Sequence, residues 1–444
     1  MTQFNSIARF ALGAPEMPES ALCMAGLLLV DTLAVAAGAT NMAPGRIARD
    51  HAARFLGASD PRDQATLMFD GRKASIAGAA FAAATQIDNL DAHDGYNPTK
   101  GHIGCAVVPA LIAFAEAHPE LSGRDALRIL TMSYELSARA AVALHSTVSD
   151  YHTSGAWNAL GAAAIGCNLM QQTDAQFRHA MGIAEYHGPR SQMMREIANP
   201  TMLHDGSGMG ALVGAMAALQ AADGFEGAPA ITLEAEECRH IWADLGQDWT
   251  IEKNYIKPYP ICRWAHAAID ALDHLLKTRA LAPDDITKIS VRTFAQAAEL
   301  YRGIPETTSQ AQYSLPFAMA ARLVHGEIGP DHIQGAGLTN PDVANVVAKI
   351  DVIEDPEHSV RFPAGRWSDV TVTLTDGREL HSGDIHARGG PEAPMSDTEL
   401  HDKFNTIAAC LPKTRRDALW EMQTRLLQPD AKFSELFSLI HAPI

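Results

Sequence analysis

What this chain lacks most is positive charge. Its 35 lysines and arginines stand against 52 aspartates and glutamates, a formal net charge of −17. A nucleic-acid partner needs a basic stripe, and this balance excludes one. The same balance repels anions at long range, so a site for an anionic ligand has to rest on a local cluster of cations. Aromatic residues are also scarce, 6% of 444 residues, although hydrophobic residues make up 47%. Alanine and glycine fill the difference. Small side chains let helix backbones approach closely, and alanine has the best helix propensity. The length exceeds what one core usually holds, so two domains are expected. The six cysteines (Cys23, Cys105, Cys167, Cys238, Cys262 and Cys410) form no CxxC pair and no ligand spacing. They read as reduced, mostly buried thiols.

Several motifs are missing. There is no GxGxxG after a strand and no GxxxxGK[ST], which speaks against a nucleotide cofactor. No GxSxG elbow presents a serine nucleophile. HExxH is absent, and the spacing of His93 and His102 matches no recognised metal pattern. Neither a metal nor an organic cofactor is therefore expected. The most apolar stretch, Ala21 to Ala37, carries Asp31 and falls short of a full membrane span. Glu16 and Glu19 precede it where a signal peptide would be basic. It reads as a core helix begun by Pro18 and Ser20 and ended by Gly38, and the expected setting is cytoplasmic, with no membrane partner.

Up to about residue 255 one apolar, alanine-rich run follows another: Ala74 to Ile87, Cys105 to Ala117, Asp125 to His145, Trp157 to Met170 and Ser207 to Ala222. Strand signals are absent there, so this part reads as an all-helical bundle. The pattern changes after Tyr259-Pro260. Ile286 to Phe294 alternates with period two, and two more alternating runs flank Asp376-Gly377, a hairpin signal. Helices are expected over Trp264 to Leu276, Ser314 to His325 and Pro341 to Lys349. Ser396 to Glu399 spells a capping box that opens a helical tail. The expected fold is mainly α. Residues 1–257 and 396–444 form a large helical domain, and 258–395 form an inserted, smaller α+β lid domain.

Four segments gather groups able to do chemistry. In NLDAHDGYNPTKGHIGCAVVP, Asp91, His93, Asp94 and His102 border a glycine- and proline-bearing loop that leads into an apolar helix. Residue types alone leave two readings open: a functional loop, or an aspartate capping a helix beside exposed histidines. Tyr151-His152-Thr153-Ser154-Gly155 precedes another apolar helix, whose N-terminal dipole would hold His152 neutral and able to act as a base. An ordinary loop histidine is the alternative. In YHGPRSQMMREIANPTMLHDGSG, Arg190, Arg195 and His204 bracket a turn into a small-residue helix. The backbone N–H groups at that helix start suit a carboxylate, against the alternative of solvated surface arginines. NYIKPYPICRWAH places Lys257, Arg263 and His266 at the proposed domain junction, a favoured position for ligand sites.

Together these segments resemble the MmgE/PrpD family, which includes 2-methylcitrate dehydratases, cis-aconitate decarboxylases and iminodisuccinate epimerase. The resemblance rests on VDTLAVAAGA, LDAHDG…GHIG…VVPAL, YHTSGAWNALGAAA, KPYPICRWAHAAIDAL and YSLPFAMAARLVHGEI, spread over essentially the whole chain. It implies a helical domain, an α+β lid with the site between them, a homodimer and a small polycarboxylate substrate. The family's acidic residue falls on Asp91, its histidines on His102 and His152, its junction lysine on Lys257 and, more loosely, its lid tyrosine on Tyr301. Two departures stand out. The family often shows LDxDD where this chain has Leu-Asp-Ala-His-Asp, and a family lysine falls on Thr201. Lys100, Arg190 and Arg195 are the cations available to replace that lysine. The expected activity is a cofactor-independent lyase, a hydro-lyase or decarboxylase, that removes a proton or CO₂ next to a carboxylate. His102 and His152 serve as acid and base, Asp91 orients one of them, and Lys257 grips the substrate with Arg190 or Arg195. Lys100, His204, Arg263 and Tyr301 complete the binding set. An epimerase using the same proton abstraction is the alternative. A carboxylate-binding protein without catalysis is the other, and it would not need histidine acid/base groups.

Overall fold

A computed structural model describes residues 2–444. The chain is mainly α-helical and divides into two compact units. One comprises the residues up to Met194 together with Leu203–Asn254 and Ile407–Ile444; the other comprises Arg195–Met202 and Tyr255–Thr406.

In the first unit the core helices are Glu19–Gly38, Ile76–Leu90, Gly104–Ala115, Gly123–Thr147, Gly155–Leu169 and Ser207–Ala222. Helix Glu19–Gly38 has the length and composition to cross a membrane, yet most of it is packed inside the unit, Asp31 included. Pro18 stands at its N-cap with no side-chain cap, so its start rests on packing. Small residues set the spacing of the bundle, as the composition predicts. A Cβ on Gly214 would overlap the Ala159 carbonyl, so helices Gly155–Leu169 and Ser207–Ala222 touch backbone to backbone. Four of the cysteines are buried, Cys23 and Cys410 are exposed, and all six are free thiols.

The first unit is not wholly without strands. Gln64–Thr66 pairs antiparallel with Lys73–Ser75. Three residues are too few to show a period, which is why the sequence hides this pair.

The second unit holds a five-stranded sheet. Trp367–Leu374 alternates cleanly between buried and half-buried positions, and Ile286–Thr293 runs antiparallel to it with one irregularity near Lys288. Gly377, at φ +84°, closes the turn after Asp376, and the returning strand is broken into Glu379–His381 and Ile385–His386. Strand Ile350–Glu354 pairs in parallel with Ile286–Thr293. It carries Asp351 and Glu354 and leaves only Val352 buried, so it gives no apolar signal. The capping box is formed in both directions: Ser396 N–H donates to the Glu399 carboxylate, and Glu399 N–H donates to Ser396 Oγ.

Candidate functional site

Three helix N-termini meet in the first unit, and polar side chains collect around them. Helix Ile76–Leu90 ends at Asp91, whose φ of +56° puts a non-glycine residue in the left-handed region. Lys100 and Asp205 share that conformation, so three of the five such residues among those described lie in this one region. Strain of this kind costs roughly 1–3 kcal/mol per residue and persists where surrounding structure over-determines it, often at functional sites.

His93 and His102 are both buried. That removes the reading in which an aspartate caps a helix beside exposed histidines, although Asp91 does stand at a helix C-cap. The two imidazoles meet edge to face with centroids 4.5 Å apart. His102 Nδ1 lies 2.6 Å from the Asp94 carbonyl oxygen. A carbonyl only accepts, so Nδ1 carries a proton, and Nε2 is the nitrogen at which the ring gains or loses one. That nitrogen faces Asp205 Oδ2 at 3.5 Å. The other Asp205 oxygen accepts from Ser154 Oγ at 2.7 Å, and Ser154 Oγ in turn accepts the His102 N–H at 2.9 Å. Asn158 Nδ2 donates to the His102 carbonyl and to Ser207 Oγ.

Behind this layer lies Asp88. Its Oδ2 accepts the Ser207 N–H at 2.9 Å, and its Oδ1 is 3.7 Å from His93 Nε2. Burial first, and the nearby Asp205 second, push the Asp88 carboxyl well above the usual carboxylate range. The start of helix Ser207–Ala222 is thus not open to a substrate carboxylate as the sequence suggests. The protein's own Asp88 takes its first N–H. The N–H of Gly104, which opens the next helix, points likewise at Asp94 Oδ2, 3.4 Å away. Helix dipoles of this kind stabilise carboxylates inside an otherwise apolar bundle.

Gly104 is required here. A Cβ would overlap both the Asp94 carboxylate and the Tyr134 hydroxyl, two buried groups. Gly104→Ala is expected to destabilise the protein by about 1–3 kcal/mol, the usual result of overpacking. A thermal midpoint equal to that of the unsubstituted protein would show that the pocket wall can yield.

His152 lies in a neighbouring group of the same unit. Its N–H donates to His145 Nε2 at 3.3 Å. Its pKa is lowered, as the sequence predicts, by burial first and by Arg190 second. Lys100 Nζ sits over the Tyr151 ring at 4.2 Å, and the Tyr151 hydroxyl donates to the Lys100 carbonyl. His145 is pushed down to about 4, by burial first and then by Lys100 and His152. Its folded pKa lies below the ordinary 6.5. Its contribution to stability is therefore complete above that value and is lost as pH falls towards 4. Denaturant midpoints between pH 7 and pH 4.5 should fall less steeply for His145→Gln than for the unsubstituted chain. Parallel slopes would rule His145 out as the cause.

The remaining predicted residues are dispersed. His204 is buried one residue before Asp205. Arg190 is exposed, 3.8 Å from Glu185. Arg195 is exposed and belongs to the second unit. Thr201 falls in that unit as well. Lys257 is fully buried there, close enough to His266 to help lower that imidazole's pKa after burial and Arg263. Arg263 donates to the main-chain carbonyls of Arg388 at 2.5 Å and Ala387 at 3.0 Å, with its guanidinium over Tyr255. Two of its donors thus hold a loop. Tyr301 is half-buried, with its hydroxyl 3.5 Å from the Ile304 carbonyl. Tyr313, at the head of YSLPF, is buried and bonds the Glu196 carboxylate within the same unit.

The residues passed over in the sequence are Asp88 and Asp205, and His93 was singled out among the loop's titratable groups without being given a role. His93 had a signal, since it stands where the resemblance leads one to expect an aspartate. Asp205 lies beside His204 in the turn already singled out, one position from the residue chosen there.

Comparison with known proteins finds likeness over nearly the whole chain. Residues 259–428 match the MmgE/PrpD C-terminal domain. The cis-aconitate decarboxylase-like protein oryM of Aspergillus oryzae is 21% identical over 440 residues, covering 88% of each chain. Residues 5–246, which carry the whole histidine–aspartate cluster, match the MmgE/PrpD N-terminal domain. The chain belongs to the MmgE/PrpD family.

Proposed function

We propose that this protein is an enzyme, a lyase acting on a small di- or tricarboxylate with no metal or organic cofactor: it either removes a proton next to a carboxylate and expels the neighbouring hydroxyl as water, or releases CO₂ and returns a proton to that carbon. The observation that carries this is the orientation of His102. Its Nδ1–H is fixed on the Asp94 carbonyl, which makes Nε2, facing Asp205 in a buried site, the nitrogen that can take and return a proton. A base of this kind accelerates proton transfer by about 10²–10⁴-fold. His152, held towards its neutral form by burial and by Arg190, is the second acid/base group. Asp91 and Asp205 orient and charge the imidazoles. Lys257 neutralises substrate carboxylates, with Arg190 or Arg195, and the enzyme works as a homodimer. Family membership and the decarboxylase-like relative support this class of reaction.

The nearest competitor is an epimerase, which shares the abstraction step and returns the proton to the other face. Turnover of a panel of di- and tricarboxylates, followed by NMR, tests the proposal. Product formation should be undiminished after exhaustive chelation. Activity that vanishes with chelator and returns with added metal would overturn the cofactor-independent mechanism.

A further inference from the structure

The sequence offers no metal spacing, yet the fold assembles a metal-type ligand set. Asp91, His93, His102 and Asp205 each present one ligand atom, and the four atoms lie within 4.8 Å of one another. All four residues are buried. A tetrahedral shell with bonds of 2.0–2.1 Å has ligand–ligand edges of roughly 3.4 Å. The separation of His102 Nε2 and Asp205 Oδ2, 3.5 Å, already matches that edge. The outer contacts match as well. A metal-bound histidine donates its other ring N–H to a carbonyl or carboxylate, and ligating carboxylates are themselves hydrogen-bonded. His102 Nδ1–H is held by the Asp94 carbonyl, and Asp205 Oδ1 is held by Ser154. Both groups therefore have one atom anchored and the other turned towards the shared centre. Two carboxylates and two neutral imidazoles also balance the charge of a dication in a buried place.

We propose that Asp91, His93, His102 and Asp205 bind one divalent transition-metal ion of the zinc class, and that the bound ion inhibits the enzyme. Imidazole and carboxylate ligands suit zinc, cobalt and nickel, whereas magnesium and calcium prefer all-oxygen shells. The inhibitory half rests on the proposed function: a cation on Nε2 occupies the lone pair that the proton transfer needs. The ion is a competitor for the acid/base group and not a participant in turnover.

Equilibrium dialysis of the chelator-stripped full chain against zinc tests the site without any substrate. One zinc per chain is expected. His93→Asn and Asp205→Asn should each weaken that binding by at least tenfold, and Ser154→Ala by about 10–100-fold, as outer-shell substitutions do. Cobalt(II) reports the ligands directly in the unsubstituted protein, whether or not the variants fold. A tetrahedral visible spectrum without a thiolate charge-transfer band supports the four residues. A thiolate band would shift the ion to the adjoining Asp88, His93 and Cys105 group and overturn the assignment. Failure to bind stoichiometrically, or unchanged binding in both ligand variants, would also overturn it. Zinc bound with full turnover would overturn the inhibitory half and leave the ligands standing. Loss of turnover in the metal-free protein would instead count against the proposed reaction.

Discussion

His102→Asn should lower kcat by about 10²–10⁴-fold, the range expected when a general acid or base is lost. Asparagine is the informative substitution. Its side-chain amide can still donate to the Asp94 carbonyl that now receives Nδ1–H, so the loop keeps its anchor while the titratable nitrogen disappears. The His102 backbone contacts to Ser154 and Asn158 do not depend on the side chain. KM should therefore change little, and the loss should fall on kcat. His152→Ala should also lose at least about 10²-fold if it is the second group of the pair. Turnover within a few-fold of the parent in His102→Asn would remove this residue from the chemistry, whatever its burial.

The second large effect concerns Lys257. A lysine buried this completely carries a heavy desolvation cost, which a fold tolerates where an anion compensates it. In the proposed function this cation supplies the local attraction that a polycarboxylate requires in a protein of net charge −17. Lys257→Met keeps the bulk of the stem and removes the charge. One charge-assisted hydrogen bond contributes about 1.5–3 kcal/mol, so KM should rise roughly ten- to a hundredfold. Since ground state and transition state both carry the carboxylate, kcat should fall less. Added salt should also raise KM less steeply in the variant than in the parent. A change below twofold, with the same salt response in both proteins, would make Lys257 a purely structural residue.

The parts of this molecule that could be read from its sequence are those set by local pattern. The helix over Ser207–Ala222, the strand beginning at Ile286 and the capping box at Ser396 depend on neighbours a few positions apart. Asp91 and His102 were legible for a related reason: they flank one loop ahead of one apolar helix. What was hidden depends on chain segments far apart in sequence. Asp205 approaches His102 only because three helix starts meet, and neither hydrophobic period nor motif spacing encodes that meeting. The Ser207 N–H shows the same limit. From sequence it is an open anion site, and only the fold reveals that Asp88 occupies it. Strand Ile350–Glu354 was hidden because an exposed edge position imposes no apolar alternation.

The central claim is that His102 moves a proton at carbon next to a carboxylate without help from a metal. Solvent exchange measures this most directly. The chelator-treated enzyme is incubated in D₂O with each di- and tricarboxylate of the panel, and ¹H NMR follows that carbon. Loss of water or CO₂ is expected, with deuterium entering at that carbon in recovered substrate for a dehydration or in product for a decarboxylation, and none of this in His102→Asn. Exchange without net loss would point to the epimerase. Absence of both exchange and product across the panel, or undiminished exchange in His102→Asn, would contradict the account.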